Sequence, residues 1–207
     1  MALVGLVDSF LTLNDADTNA LITGDNGLST TGVLEIGDKY FGTSEAKISN
    51  FEGSLQTLSG NDKGQFSYQQ PSQPGVAYTV NNLDFEIKQK LLGYKKDGLG
   101  WIKSDVKPVV GLVVVTRSLD KQHKIYYAFP KGNMTLTSLA LKSDTPTSTT
   151  PITDALTFTS LSADSIGGRN VKTYIDGDTT FTEDAMFKEL FPDYEAASTG
   201  TTTPSNG

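Results

Sequence analysis

The segment Val109–Thr116, which reads Val-Val-Gly-Leu-Val-Val-Val-Thr, constrains the fold more than any other part of the chain. A strand with one face in water alternates apolar and polar residues. A nearly unbroken branched run has to be covered on both faces. The remaining residues must therefore supply two coverings, and what they offer is mostly further strands. Lys47–Phe51 and Ser54–Leu58 are short alternating runs broken at Gly53, and Gln65–Gln69 and Val76–Val80 alternate on either side of a Pro/Gly-containing linker. Lys124–Phe129, Met134–Leu141, Ala155–Leu161 and Val171–Ile175 follow at turn-bounded intervals. This series predicts a mainly β fold, a two-sheet antiparallel β-sandwich or barrel.

Two helices interrupt the pattern. Over about 83–92, Leu83, Ile87 and Leu91 recur every four residues, Asn81 or Asn82 offers an N-cap, and Gly93 offers a left-handed stop. Glu86 and Lys90 stand at the favourable i,i+4 spacing. A shorter helix is expected over about 183–190, opened by a Thr180/Glu183 capping box and closed by Pro192. Its Met186, Phe187, Leu190 and Phe191 form an apolar stripe, which either covers the domain's own core or docks onto a neighbouring subunit. On the docking reading Phe187 and Phe191 are the interface residues.

The expected organisation is one β domain over residues 1–197, with arms and loops over about 1–45, followed by a Thr/Ser/Pro-rich tail or linker at 198–207. Leu3–Leu13 reads as an edge strand. Asn14–Thr31 has little to bury and reads as a mobile loop or as an arm that orders on a partner. Residues 93–100 read as a helix exit and turn, and 143–153 as a loop.

Composition removes most chemistry. With no cysteine there is no disulfide, thiolate or Cys-based zinc site, and a single histidine, His123, rules out a multi-histidine metal centre in one chain. His123 falls between two strands, in an expected hairpin loop, and no G-x-S-x-G, GxGxxG or phosphate-binding P-loop accompanies it. Asp176, Asp178, Glu183 and Asp184 lack the ligand spacing of a calcium loop and read as an Asp-Gly turn before a helix start. Neither a catalytic residue, a metal ligand nor a cofactor is expected. The longest apolar stretch has seven residues, against roughly 20 for a bilayer span. Met1–Val7 lacks a basic region and Asp8 interrupts it, so synthesis and folding in the cytoplasm are expected.

The net charge of −7 is unevenly distributed. Residues 1–80 carry nine acids and three lysines, residues 81–131 five acids and ten bases, and residues 132–207 ten acids and four bases. The basic middle is either a solubilising surface or one part of a polarised one that meets acidic partners, copies of this chain included.

Four segments in the middle of the chain carry a resemblance. They are Asn82–Tyr94 (Asn-Leu-Asp-Phe-Glu-Ile-Lys-Gln-Lys-Leu-Leu-Gly-Tyr), Lys107–Leu112, Tyr126–Gly132 (Tyr-Tyr-Ala-Phe-Pro-Lys-Gly) and Asp154–Phe158. In order and spacing they resemble the major tail protein, or tail-tube protein, of siphophages infecting Gram-positive bacteria, the lactococcal phages included. The likeness covers roughly residues 80–165 and rests on scaffold residues. It implies a β-sandwich with a flanking helix, in hexameric rings stacked into a hollow tube. Inner sheets of neighbours would line a lumen that conducts double-stranded DNA without specific binding. A long loop and the terminal arms would touch adjacent rings.

The implied partners are the chain itself and the tape-measure, tail-terminator and distal-tail proteins, in a virion tail assembled in the host cytoplasm, with no membrane. A wall that passes phosphates should be acidic or neutral, which nominates Glu35, Asp38, Glu45, Glu52 and Asp62 as lumen acids. The basic middle would then lie at interfaces, through Lys88, Lys95, Lys96 and Lys103. The competing reading is a β-sandwich that presents Trp101 and its Tyr/Phe set to a carbohydrate or receptor.

Overall fold

The structure is a computed structural model that describes residues 2–144, 147–149 and 151–196. The expected tail at 198–207 lies outside the described residues. In chain order the strands are β1 (Leu3–Asn14), β2 (Val33–Glu35), β3 (Thr43–Ser49), β4 (Leu55–Gly60), β5 (Lys63–Gln69) and β6 (Gly75–Val80). Helix α1 (Phe85–Leu92) precedes β7 (Tyr94–Asp97), β8 (Gly100–Lys103), β9 (Val109–Ser118), β10 (Lys124–Thr135), β11 (Asp154–Ser160), β12 (Lys172–Ile175) and α2 (Glu183–Leu190). One antiparallel sheet runs β2-β1-β9-β10-β11-β6-β3, with β12 added on β10, while β4–β5 and β7–β8 are separate hairpins.

β9 holds the central place its sequence demands, between β1 and β10. Its Val110, Leu112 and Val114 point into one core, and Val113 and Val115 into a second. The first core lies between the two halves of the curled sheet: Leu11 and Leu13 of β1 meet Tyr78 and Val80 of β6 and Phe158 of β11. The two layers of the expected sandwich are thus halves of one sheet. The halves are also joined by hydroxyls, since Ser9 Oγ lies 2.6 Å from Thr43 Oγ1 and 2.7 Å from Tyr78 OH.

The layers divide at β10. Residues 125–128 pair with β12, and residues 132–135 pair with β11. The ladder to β9 slips between Phe129 and Gly132. Pro130 needs no ladder donor at that bulge, and its carbonyl accepts from Asn14 Nδ2 at 3.2 Å. The two runs read as separate strands around Pro130 are therefore one bent strand, and residues 136–141 are not strand.

Both helices form, with shifted caps. Asp84, not Asn81 or Asn82, caps α1 by accepting from the Glu86 N–H, while Gly93 stops it at φ 81°. Thr182, not Thr180, caps α2 by accepting from the Ala185 N–H. Glu86 and Lys90 pair at 3.1 Å as their spacing predicts. The Asn14–Thr31 segment folds back on its own chain. Ile22 N–H donates to the Leu13 carbonyl, Leu28 is buried, and Lys90 Nζ donates to the Asp25 and Gly27 carbonyls. β1, read as an edge strand, lies inside the sheet between β2 and β9.

Candidate functional site

The polar groups that suggested chemistry go to separate partners. His123 Nδ1 lies 3.1 Å from Asp176 Oδ1. The nearby Ser118 hydroxyl donates to Asp120 and accepts from the His123 backbone N–H, not from its ring. Asp178 accepts from the Thr180 N–H and hydroxyl, which holds its carboxyl below the ordinary range and closes the turn before α2. Glu183 accepts from Tyr126 OH at 2.7 Å and Asp184 from Tyr194 OH at 3.0 Å. Among the described residues no three such groups converge as metal ligands, and no helix is long and apolar enough to cross a membrane.

The five nominated acids occupy three separate regions. Glu35 ends β2 beside Asp8; burial and the neighbouring Glu35 carboxyl push Asp8 up to about 7. Asp38 lies in the turn between β2 and β3. Glu45 is on the outward face of β3, while Glu52 and Asp62 belong to the β4–β5 hairpin and its approach.

Of the four nominated lysines, three stay together. Lys95, Lys96 and Lys103 share the β7–β8 hairpin, exposed and without an ion pair. Lys88 does not join them, because it pairs with Asp154 at 2.8 Å with both side chains mostly buried. Phe187 and Phe191 are 4% and 1% exposed, packed with Phe10, Val113 and Val115 in the second core. That is the core-covering alternative for the α2 stripe, and it leaves no surface on either ring for a neighbour.

Two apolar surfaces remain uncovered. The first is the β4–β5 hairpin, whose only strand pairing is internal. Leu58 stands opposite Phe66, and Phe66 and Tyr68 stack with centroids 6.3 Å apart; the three are 63%, 64% and 45% exposed. The second is an open groove of about 620 Å³ with Leu13, Ile22, Tyr94, Trp101, Val106 and Pro108 in its lining. Lys95, Lys96 and Lys107 rim it, and burial together with Lys103 holds the Lys107 ammonium below its ordinary value. Trp101 meets Phe85 edge-on at 6.4 Å.

Sequence reasoning read the hairpin strands as half-buried because they alternate. The alternation is real, but the surface it should face is not in this chain. The β7–β8 hairpin was not expected at all. Its signal was the Asp97-Gly98-Leu99-Gly100 turn between Lys-rich runs, with Gly98 at φ 56°.

A doubly covered β core, dispersed titratable groups and uncovered apolar projections define a structural β subunit built to be surrounded by partners. The family model for phage tail tube protein matches residues 1–199, and the chain belongs to that family. A comparison with curated proteins gives no match. The chain is thus a non-enzymatic structural component of a bacteriophage tail, from a family that self-assembles and works with other tail proteins.

Proposed function

We propose that the chain forms hexameric rings that stack into a siphophage tail tube, and that the outward face of β3, β6 and β11 lines the DNA channel. The register on that face carries the reading. Lys47 stands beside Ala77, Ala77 beside Thr157 and Thr157 beside Thr135; Glu45 stands beside Thr79 and Thr79 beside Ala155. This is a continuous surface of hydroxyls and methyls with one acid and one base, and no large apolar anchor. Duplex DNA carries a charge every ~1.7 Å of its axis, so a wall that passes it must not offer a row of cations. Of the five acids nominated from sequence, only Glu45 lies on this face, repeated sixfold in each ring.

On this reading the tape-measure, terminator and distal-tail proteins meet the tube at its core and ends, after assembly in the host cytoplasm. The domain comprises residues 1–197. The β4–β5 hairpin is the long loop that reaches an adjacent ring.

The absence of cysteine supplies the test. Thr157→Cys introduces one thiol per chain, to be probed in intact tails with small and bulky maleimides. Labelling by the small reagent alone is expected. Equal labelling by a reagent too large to enter the channel would place this face outside and overturn the assignment.

A further inference from the structure

We propose that the groove beside the β7–β8 hairpin is the receiving site for the β4–β5 hairpin of a second copy of this chain. The inference rests on the tube reading for its partner, and on three observations for its geometry. Both surfaces are apolar and uncovered in the folded chain. Leu58, Phe66 and Tyr68 form a row on one face of the hairpin, while Trp101, Tyr94, Val106 and Pro108 line a groove of matching character.

Charge agrees in sign. Residues 51–70 carry Glu52, Asp62 and Lys63, whereas residues 94–108 carry Lys95, Lys96, Lys103 and Lys107 against Asp97 and Asp105. Glu52 and Asp62 have no ion-pair partner among the described residues, and the same holds for Lys95, Lys96 and Lys103.

Topology makes the contact intermolecular. The hairpin returns to the sheet at Gly75, and α1, which walls the groove, follows Val80 at the other end of β6. Those two ends are roughly 17 Å apart at about 3.4 Å per residue. Along β10, the approach to the hairpin touches Tyr127 through Phe51, with centroids 5.8 Å apart. The groove rim is tied to Asn133 through the Pro108 carbonyl at 2.8 Å. Hairpin and groove thus lie towards opposite ends of the same strands. A contact between unlike surfaces at opposite ends is heterologous, so each copy added exposes a fresh hairpin or groove.

The test uses full-length protein in two variants, Phe66→Asp on the hairpin and Lys95→Glu/Lys96→Glu on the groove, analysed by sedimentation and negative-stain microscopy. Each alone should weaken self-association by about 30-fold or more, as expected for a buried aromatic anchor and its rim. Mixed together they should combine through the one intact hairpin and the one intact groove, and stop there without growing. Unchanged circular dichroism and urea midpoints for both variants exclude misfolding as the cause. If wild-type and variant proteins form tubes equally well, the docking site is wrong and the tube reading stands. If wild-type protein forms no oligomer at any concentration and the mixture forms no pair, the docking site falls and the tube reading loses its support as well.

Discussion

Phe187→Ala separates a core role for α2 from an interface role. The ring is 4% exposed and lies edge-on to Phe10, with centroids 5.1 Å apart and planes at 75°, and Tyr194 is on its other side at 5.4 Å. Truncating a buried phenylalanine removes its transfer free energy and leaves a cavity, for a loss of about 3–5 kcal/mol. The edge-to-face contact with Phe10 accounts for roughly 0.5–1.5 kcal/mol beyond area burial. With a urea dependence of about 2–3 kcal/mol per molar, the unfolding midpoint should fall by about 1–2 M. Far-ultraviolet circular dichroism of unassembled protein measures this directly. The control is Phe66→Ala, where a 64% exposed ring should cost no more than about 0.5 kcal/mol. A loss under about 1 kcal/mol at Phe187, accompanied by failed assembly, would show that the ring is covered by a neighbour and not by β1 and β9.

Three further outcomes follow from the geometry. In Gly132→Ala the new methyl would lie 2.3 Å from Phe158 Cζ and 2.5 Å from the Thr159 carbonyl. Because a backbone atom cannot rotate aside, thermal melts should show a loss of at least about 2 kcal/mol. Tyr78→Phe removes one hydroxyl of the buried trio but leaves Ser9 bonded to Thr43, so a loss near 1 kcal/mol is expected, and a loss above about 3 would mean that the trio acts as a unit. Asp8 keeps its proton in the folded chain up to about pH 7 and loses it near 4 when unfolded, so the folded state binds more protons across that window. Stability should therefore fall as pH rises from about 4 to 7, by about 1–2 kcal/mol once solvent screening at this partly exposed group is discounted. Urea midpoints of wild type and Asp8→Asn at pH 5 and pH 8 test the sign, since the variant should lack the slope.

Where local chemistry decided the structure, the sequence was legible. The ends of β6, β9 and β11 follow from their alternation and flanking turns to within two residues. Gly93 and the Glu86–Lys90 pair fall where helix geometry requires. Legibility failed where a distant partner overrode the local signal. β1 buries Ser9, Thr12 and Asn14, which disguises a central strand as a surface one. Those polar groups are satisfied only by remote residues or by one another: the Gly111 N–H donates to Thr12 Oγ1, which donates to Asn14. Pro130 reads as a strand breaker and instead occupies the bulge of a continuous strand. At the candidate site the lysine cluster was visible as a charge run, except that Lys88 is claimed by Asp154, 66 residues away. The groove was invisible, because its lining comes from four segments between Leu13 and Pro108.

The interior position of β1 carries a consequence for how the chain is made. Its Leu11 pairs with Leu112, so about 100 residues must be synthesised before that ladder can begin to close. At ~5–20 residues per second the ribosome needs roughly 5–20 s to supply them. During that interval β1 is a nascent segment with an apolar row and unpaired backbone groups, while β9 and β10 can form their hairpin as soon as they emerge. The first strand made is among the last to be placed, and a tail subunit needed in many copies spends the start of its life holding its most aggregation-prone segment in the open.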